Sequence, residues 1–207
     1  MERLDEVAHS PRDCAEQVAD LLDLACRSFL SGQGSSDGLK FCLGSGEGCG
    51  VLGHIVSGST WMVLRPHGQQ LAYELADRAG ELAGSRQGNR LLSMLLRIRS
   101  RSKETDELFA EVPRKVAFSL SGRAVALATD TRGSQVSSAQ LVSNLMVRLA
   151  EEGLEDDLYS LLSELAHDPA VFRSDEAKRV LAEGLSLPII GEARADQLLQ
   201  SIRSRHK

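Results

Sequence analysis

Cys42, Cys49, His54 and His67 are the residues of this chain best suited to hold a metal, because thiolate and imidazole are the donors zinc prefers. Six residues separate the two cysteines, against about two to four in compact zinc knuckles, so the chain between them would have to fold back to close a site. Zinc is the one cofactor these residue types suggest, and none is expected if they are buried thiols and surface or strand histidines. Cys49 and His54 are also close enough in sequence to serve as nucleophile and base, since an imidazole beside a thiol favours the reactive thiolate. No third residue is identifiable to orient the histidine. H-E-x-x-H and the Walker A pattern are both absent. No catalytic residue is therefore assigned, and the balance leans against an enzyme.

The stretch LGSGEGCGVLG, residues 43–53, offers a different chemistry. Glycines let backbone N–H groups approach an anion without steric cost, and Gly48, Gly50 and Gly53 fit G-x-G-x-x-G. A small nucleotide-binding enzyme centred on residues 44–53 is the alternative this stretch supports. The residues that follow read as strand, however, where a dinucleotide fingerprint requires a helix. Leu43, Gly44, Gly46 and Val51 are placed as in the glycine loop of protein kinases, which the stretch resembles. Cys49 stands at the third glycine, Arg65 stands near the lysine position, and no H-R-D or D-F-G follows, so a catalytic kinase is excluded. The plain alternative is a hairpin loop, because turns collect glycine.

Arg86, Arg90, Arg97, Arg99, Arg101 and Lys103 fall in a segment with no acidic residue. On a helix, Arg86, Arg90, Arg97 and Arg101 share a side opposite Leu91, Leu95 and Ile98. Such a helix can hold a phosphate backbone, a membrane surface or an acidic partner. It can equally be a solvated face, or a dock for the chain's own acidic run EEGLEDD, residues 151–157. No aromatic residue is interleaved to stack on single-stranded bases.

Near the C-terminus, Leu187, Pro188, Ile190, Gly191, Ala195 and Leu198 follow the L-P-G-I-G-x-x-x-A-x-x-I pattern of the helix-hairpin-helix DNA-binding family, which this stretch resembles. The resemblance implies a turn at Gly191 that presents backbone N–H groups to a DNA phosphate. Ile189 occupies the place of the first glycine of that pattern. With Arg86, Arg90, Arg97, Arg101 and Lys103, Gly191 completes the candidate nucleic-acid residues.

The elements that must position these groups are mostly helical. Ser137 and Gln140 have capping-box spacing, with Leu141, Val142, Leu145, Met146 and Leu149 as an apolar stripe and Gly153 as a stop. Leu154, Leu158, Leu161, Leu162 and Leu165 make the next stripe. Helices are also expected from Ser10-Pro11 to Gly32, around Leu71–Leu82 and Leu91–Leu96, from Ser174 to Gly184, and from Pro188 to Arg203. Strands are expected about 39–64. The alternation of Val116, Phe118, Val125 and Leu127 around Ser121-Gly122 predicts a hairpin over 115–128. The expected fold is α+β, predominantly helical, with small antiparallel hairpins at about 39–64 and 115–128 and a C-terminal helical bundle. A mixed region over 1–130 and a bundle over 137–207 are the expected units, the bundle reading as two helical hairpins in succession without enough mutual similarity to be repeats.

Of the 207 residues, 42% are hydrophobic and only 4% aromatic, so the core must be built from Leu, Val and Ala. The net charge of −5 opposes coating of nucleic acid or anionic membrane over the whole surface. Four cysteines without close pairing fit a reducing compartment. The N-terminal sequence lacks a secretory pattern, and no run of apolar residues is long enough to span a membrane, so the cytoplasm or nucleus is expected. Together these features favour a non-catalytic interaction, regulatory or adaptor protein that presents its helical surface to another protein, with Leu158, Leu162, Leu198 and Ile202 as the lining residues. A nucleic-acid-associated factor is the alternative. Oligomeric state is not legible.

Overall fold

A computed structural model describes residues 66–98, 106–130 and 137–205. They form α1 (Pro66–Asp77), α2 (Ala79–Leu82), α3 (Arg86–Leu95), α4 (Asp106–Leu120), α5 (Ala124–Ala128), α6 (Ser138–Glu151), α7 (Glu155–His167), a short 3-10 turn (Val171–Arg173), α8 (Asp175–Leu185) and α9 (Glu192–Arg205). No strand occurs among the described residues. Over those residues the protein is helical and not α+β. The hairpins expected about 39–64 lie outside the described residues.

The hairpin expected over 115–128 is replaced by the end of α4, a turn and α5. Val112, Val116 and Leu120 recur every four residues and are buried, whereas Phe118 is 85% exposed. The stripe closes the core only as a helix. Gly122 does make the turn, with φ of 74°, but it ends a helix there instead of joining two strands. Glu164 of α7 fastens that turn: its two carboxylate oxygens accept the backbone N–H groups of Gly122 and Ala124, each at 3.1 Å. Pro113 lies within α4, where an interior proline costs about 3 kcal/mol, so burial of the flanking stripe outweighs local preference.

The helix signals near the centre have direct structural counterparts. Ser137 Oγ accepts the Gln140 N–H at 3.0 Å and caps α6, while the Gln140 side chain turns to Asn144. Gly153 has φ of 72°, and Leu154 N–H returns to the Leu149 carbonyl at 2.9 Å, closing the helix. Gly184 has a different role from the stop expected of it. A Cβ there would lie 2.5 Å from Leu162 Cδ2 and 2.7 Å from Met146 Sδ, so the glycine permits close packing of α8 on α6 and α7.

The helices stack in two layers. Asn89 of α3 meets Ser138 of α6, and Ser93 meets Asn144, so these two helices run side by side in the same direction. Ser143 of α6 donates to Glu183 of α8, which extends the row to a third helix. The second layer is α1, α4, α7 and α9. Lys115 binds Asp77, Ser119 Oγ accepts the Gly80 N–H, Arg114 binds Asp157, Arg194 binds Asp156 and Ser201 meets His167. The Asp77 carboxylate, through that hydrogen bond, holds the Lys115 ammonium above its ordinary pKa.

Side-chain hydrogen bonds between different helices of these layers join residues 34 to 51 apart. These bonds tie helices distant in the sequence into one packed unit. Leu91-Leu92-Ser93-Met94-Leu95-Leu96 matches Leu141-Val142-Ser143-Asn144-Leu145-Met146 in its pattern of apolar residues. Helix α6 is central, packing on α3, α4, α5, α7 and α8.

Candidate partner-binding face

In each helix of the α3, α6 and α8 row, one side turns to the second layer and the flanks meet neighbouring helices. One outward side remains. On α3 that side carries Arg86 and Arg90, one helical turn apart, and Arg97 extends the line just beyond the helix end; all three are exposed. Ser85 caps this helix by accepting the Gly88 N–H at 3.0 Å. On α6 the outward residues are Gln140, Asn144, Val147 and Glu151, at helical spacing, with Val147 42% exposed. On α8 they are Arg179, Ala182, Glu183 and Ser186.

Between α6 and α8 lies an open groove of about 510 Å³, its floor formed by Met146, Val147, Ala182, Gly184 and Leu187. Because Gly184 lacks a side chain, α8 sits low against α6 and the groove keeps an apolar base. Its polar edge is already engaged. Ser143 Oγ donates to Glu183 at 2.7 Å, and Arg179 donates to Glu183 at 2.9 Å and to Glu176 at 2.6 Å. The Glu176 hydrogen bond, with Glu183 close by, holds the Arg179 guanidinium above its ordinary pKa. This edge is nearly neutral, and the floor offers only van der Waals contact.

The acidic run at 151–157 does not pair with the arginines of α3. Glu151 and Glu152 bind the buried Arg148, Glu155 and Asp156 bind Arg194, and Asp157 binds Arg114. Arg86, Arg90 and Arg97 form no ion pair with the described residues. Arg101 and Lys103 lie outside the described residues. Helix α3 ends at Leu95, and Arg97, in the turn just after it, is the last arginine of the segment among the described residues.

The leucines expected to line a partner site are elsewhere. Leu158, Leu162 and Leu198 are 0%, 0% and 1% exposed and belong to the core, and Ile202 is half-buried against it. Their side chains are consumed by the protein's own layers. Gly191 is exposed immediately before α9, with open space where a Cβ would stand. Helix α9 packs on α7, where Arg194 also lies 5.1 Å from the Tyr159 ring centre. Cys42, Cys49 and His54, and the glycine stretch 44–53, lie outside the described residues. His67 is half-buried in the first turn of α1. Among the described residues no group of three or more His, Cys, Asp or Glu converges on a metal position.

No family model, curated protein or solved structure matches this chain. Its reading rests on its own geometry. Among the described residues no helix is long and apolar enough to cross a membrane.

Two features escaped the sequence. The groove residues Val147, Ala182 and Leu187 look like ordinary stripe members until the packing shows which side faces out. His167 meets Ser201 through Nε2 at 3.0 Å, with Nδ1 2.6 Å from the Ser163 carbonyl, a contact no motif announces. It ties α9 to the end of α7.

Proposed function

We propose that the chain is a non-catalytic interaction protein, acting in the cytoplasm or nucleus, that binds a segment of another protein in the α6–α8 groove. The observation that carries this reading is an apolar floor left open on the outward side of a helical stack, with Val147 42% exposed above it. Uncovered apolar patches are characteristic of partner-binding sites. No cofactor enters this function.

A displayed peptide library selected on the full chain and counter-selected on Val147→Gln/Ala182→Gln tests it. Enriched peptides are expected to carry apolar anchors and to lose about thirtyfold or more in affinity for the double variant, in line with about 2 kcal/mol for buried anchors. Both positions are surface helical sites, so the variant should keep its stability within about 0.5 kcal/mol. Selected peptides that bind wild type and variant alike would contradict the proposal.

A second reading, association with nucleic acid, is favoured by one observation: the acidic run binds other cations and leaves Arg86, Arg90 and Arg97 exposed. Three neutralised phosphates give a salt slope near −2.7, or about a 40-fold loss of duplex affinity between about 50 and 200 mM salt. Arg90→Glu with Arg97→Glu should weaken that binding and flatten the slope. Duplex binding indifferent to salt and to the double variant would remove this reading.

A further inference from the structure

The arginine row of α3 and the groove beyond α6 open on the same side of one helical layer. Resting on the groove as the binding site, we infer that its partner is an acidic protein segment with an apolar anchor, laid across the layer so that acids meet Arg86, Arg90 and Arg97 while the anchor enters the groove. The two halves of the face ask for different chemistry. Between Glu81 and Glu104 the chain has no acidic residue, and the arginines of α3 have no ion-pair partner among the described residues. The groove floor of Met146, Val147, Ala182 and Leu187 can satisfy only apolar groups. A nucleic-acid backbone would answer the arginines and leave that floor uncovered. No aromatic residue stands between 84 and 98 to stack on exposed bases. One peptide segment answers both.

The spacing of the two contacts follows from helix packing. Adjacent helices lie about 8–10 Å apart, which places the groove roughly 12–15 Å from the α3 axis, one helix and a half along the row. An extended chain covers that in about four residues. Glu151 and Glu183 also lie on this side, but they are engaged by Arg148 and Arg179. They bias the acidic half of the ligand toward α3 and its anchor toward the α6–α8 groove.

Fluorescence anisotropy on the full chain tests this with labelled peptides: three acids, a four-residue Gly/Ser spacer and a Leu-Phe-Leu anchor, alongside forms with the acids changed to Gln, the anchor changed to Ser, or the spacer removed. The complete peptide is expected to bind. Losing the acids should weaken it about tenfold at low salt, a difference that vanishes in Arg90→Glu/Arg97→Glu. Losing the anchor should weaken it about thirtyfold or more. Equal affinity for the peptide without acids would overturn the acidic assignment and leave the groove as the binding site. Unchanged binding by Val147→Gln/Ala182→Gln would overturn both, as would failure of every peptide to bind. Displacement of the peptide by an excess of duplex that itself binds more tightly would assign the face to nucleic acid instead.

Discussion

Replacing Leu145 with alanine is expected to lower the unfolding free energy by about 2–5 kcal/mol. The residue is 0% exposed at the middle of α6, the helix that touches both layers. Its loss removes apolar contact and leaves a cavity that neighbours on several helices cannot jointly close, because moving toward it would pull each away from its own partners. Urea unfolding should therefore show a lower midpoint. A loss of unfolding free energy under about 0.5 kcal/mol would show that α6 is not the centre of this fold. Val147, two residues along the same helix but 42% exposed, supplies the contrast, since its truncation should cost little.

Gly88→Ala is expected to destabilise by about 2–4 kcal/mol, against the local rule that alanine outperforms glycine inside a helix by about 1 kcal/mol. A Cβ at this position would fall 1.9 Å from the Leu82 carbonyl oxygen and 2.7 Å from Ser85 Oγ. The first is backbone and cannot rotate aside. Relieving the clash must separate α2 from the start of α3, where Ser85 holds the Gly88 N–H and Asn89 Oδ1 accepts the Gly84 N–H at 3.0 Å. Asn89 is 2% exposed and also donates to Ser138, so the disturbance reaches α6. Chemical denaturation compared with wild type decides the point. An alanine variant of equal or greater stability would mean that the approach of α2 to α3 is looser than described.

What could be foreseen and what could not divides along a physical line. Ser137, Gly153 and the stripe from Leu141 to Leu149 were legible because a cap, a left-handed glycine and a one-turn repeat are local properties of the chain. The segment 115–128 was misread for an equally local reason. Val112, Val116 and Leu120 lie four apart, a step that suits both a strand's period of two and a helix's period of 3.6, and Phe118 with Val125 tipped the pattern toward strand. Only the position of Phe118, pointing to solvent, settles which period is in use. The pairing of helices escaped for a further reason. Its spacing is set by contacts 34 to 51 residues apart, and the sequence match between residues 91–96 and 141–146 is carried almost wholly by apolar type.

The candidate site shows the same division. Arg86, Arg90 and Arg97 were identifiable by charge and spacing, but whether the acidic run at 151–157 covered them depended on where Arg114, Arg148 and Arg194 lay in space. Leu158, Leu162 and Leu198 were credible partner residues by the same apolar criterion that made Val147 unremarkable. By itself the sequence determined the bounds and the apolar sides of helices such as α6 and α7, since those properties follow from neighbours within a turn or two. Which apolar sides close upon each other and which stay open was decided by tertiary packing alone, because burial is a property of residues brought together from distant parts of the chain.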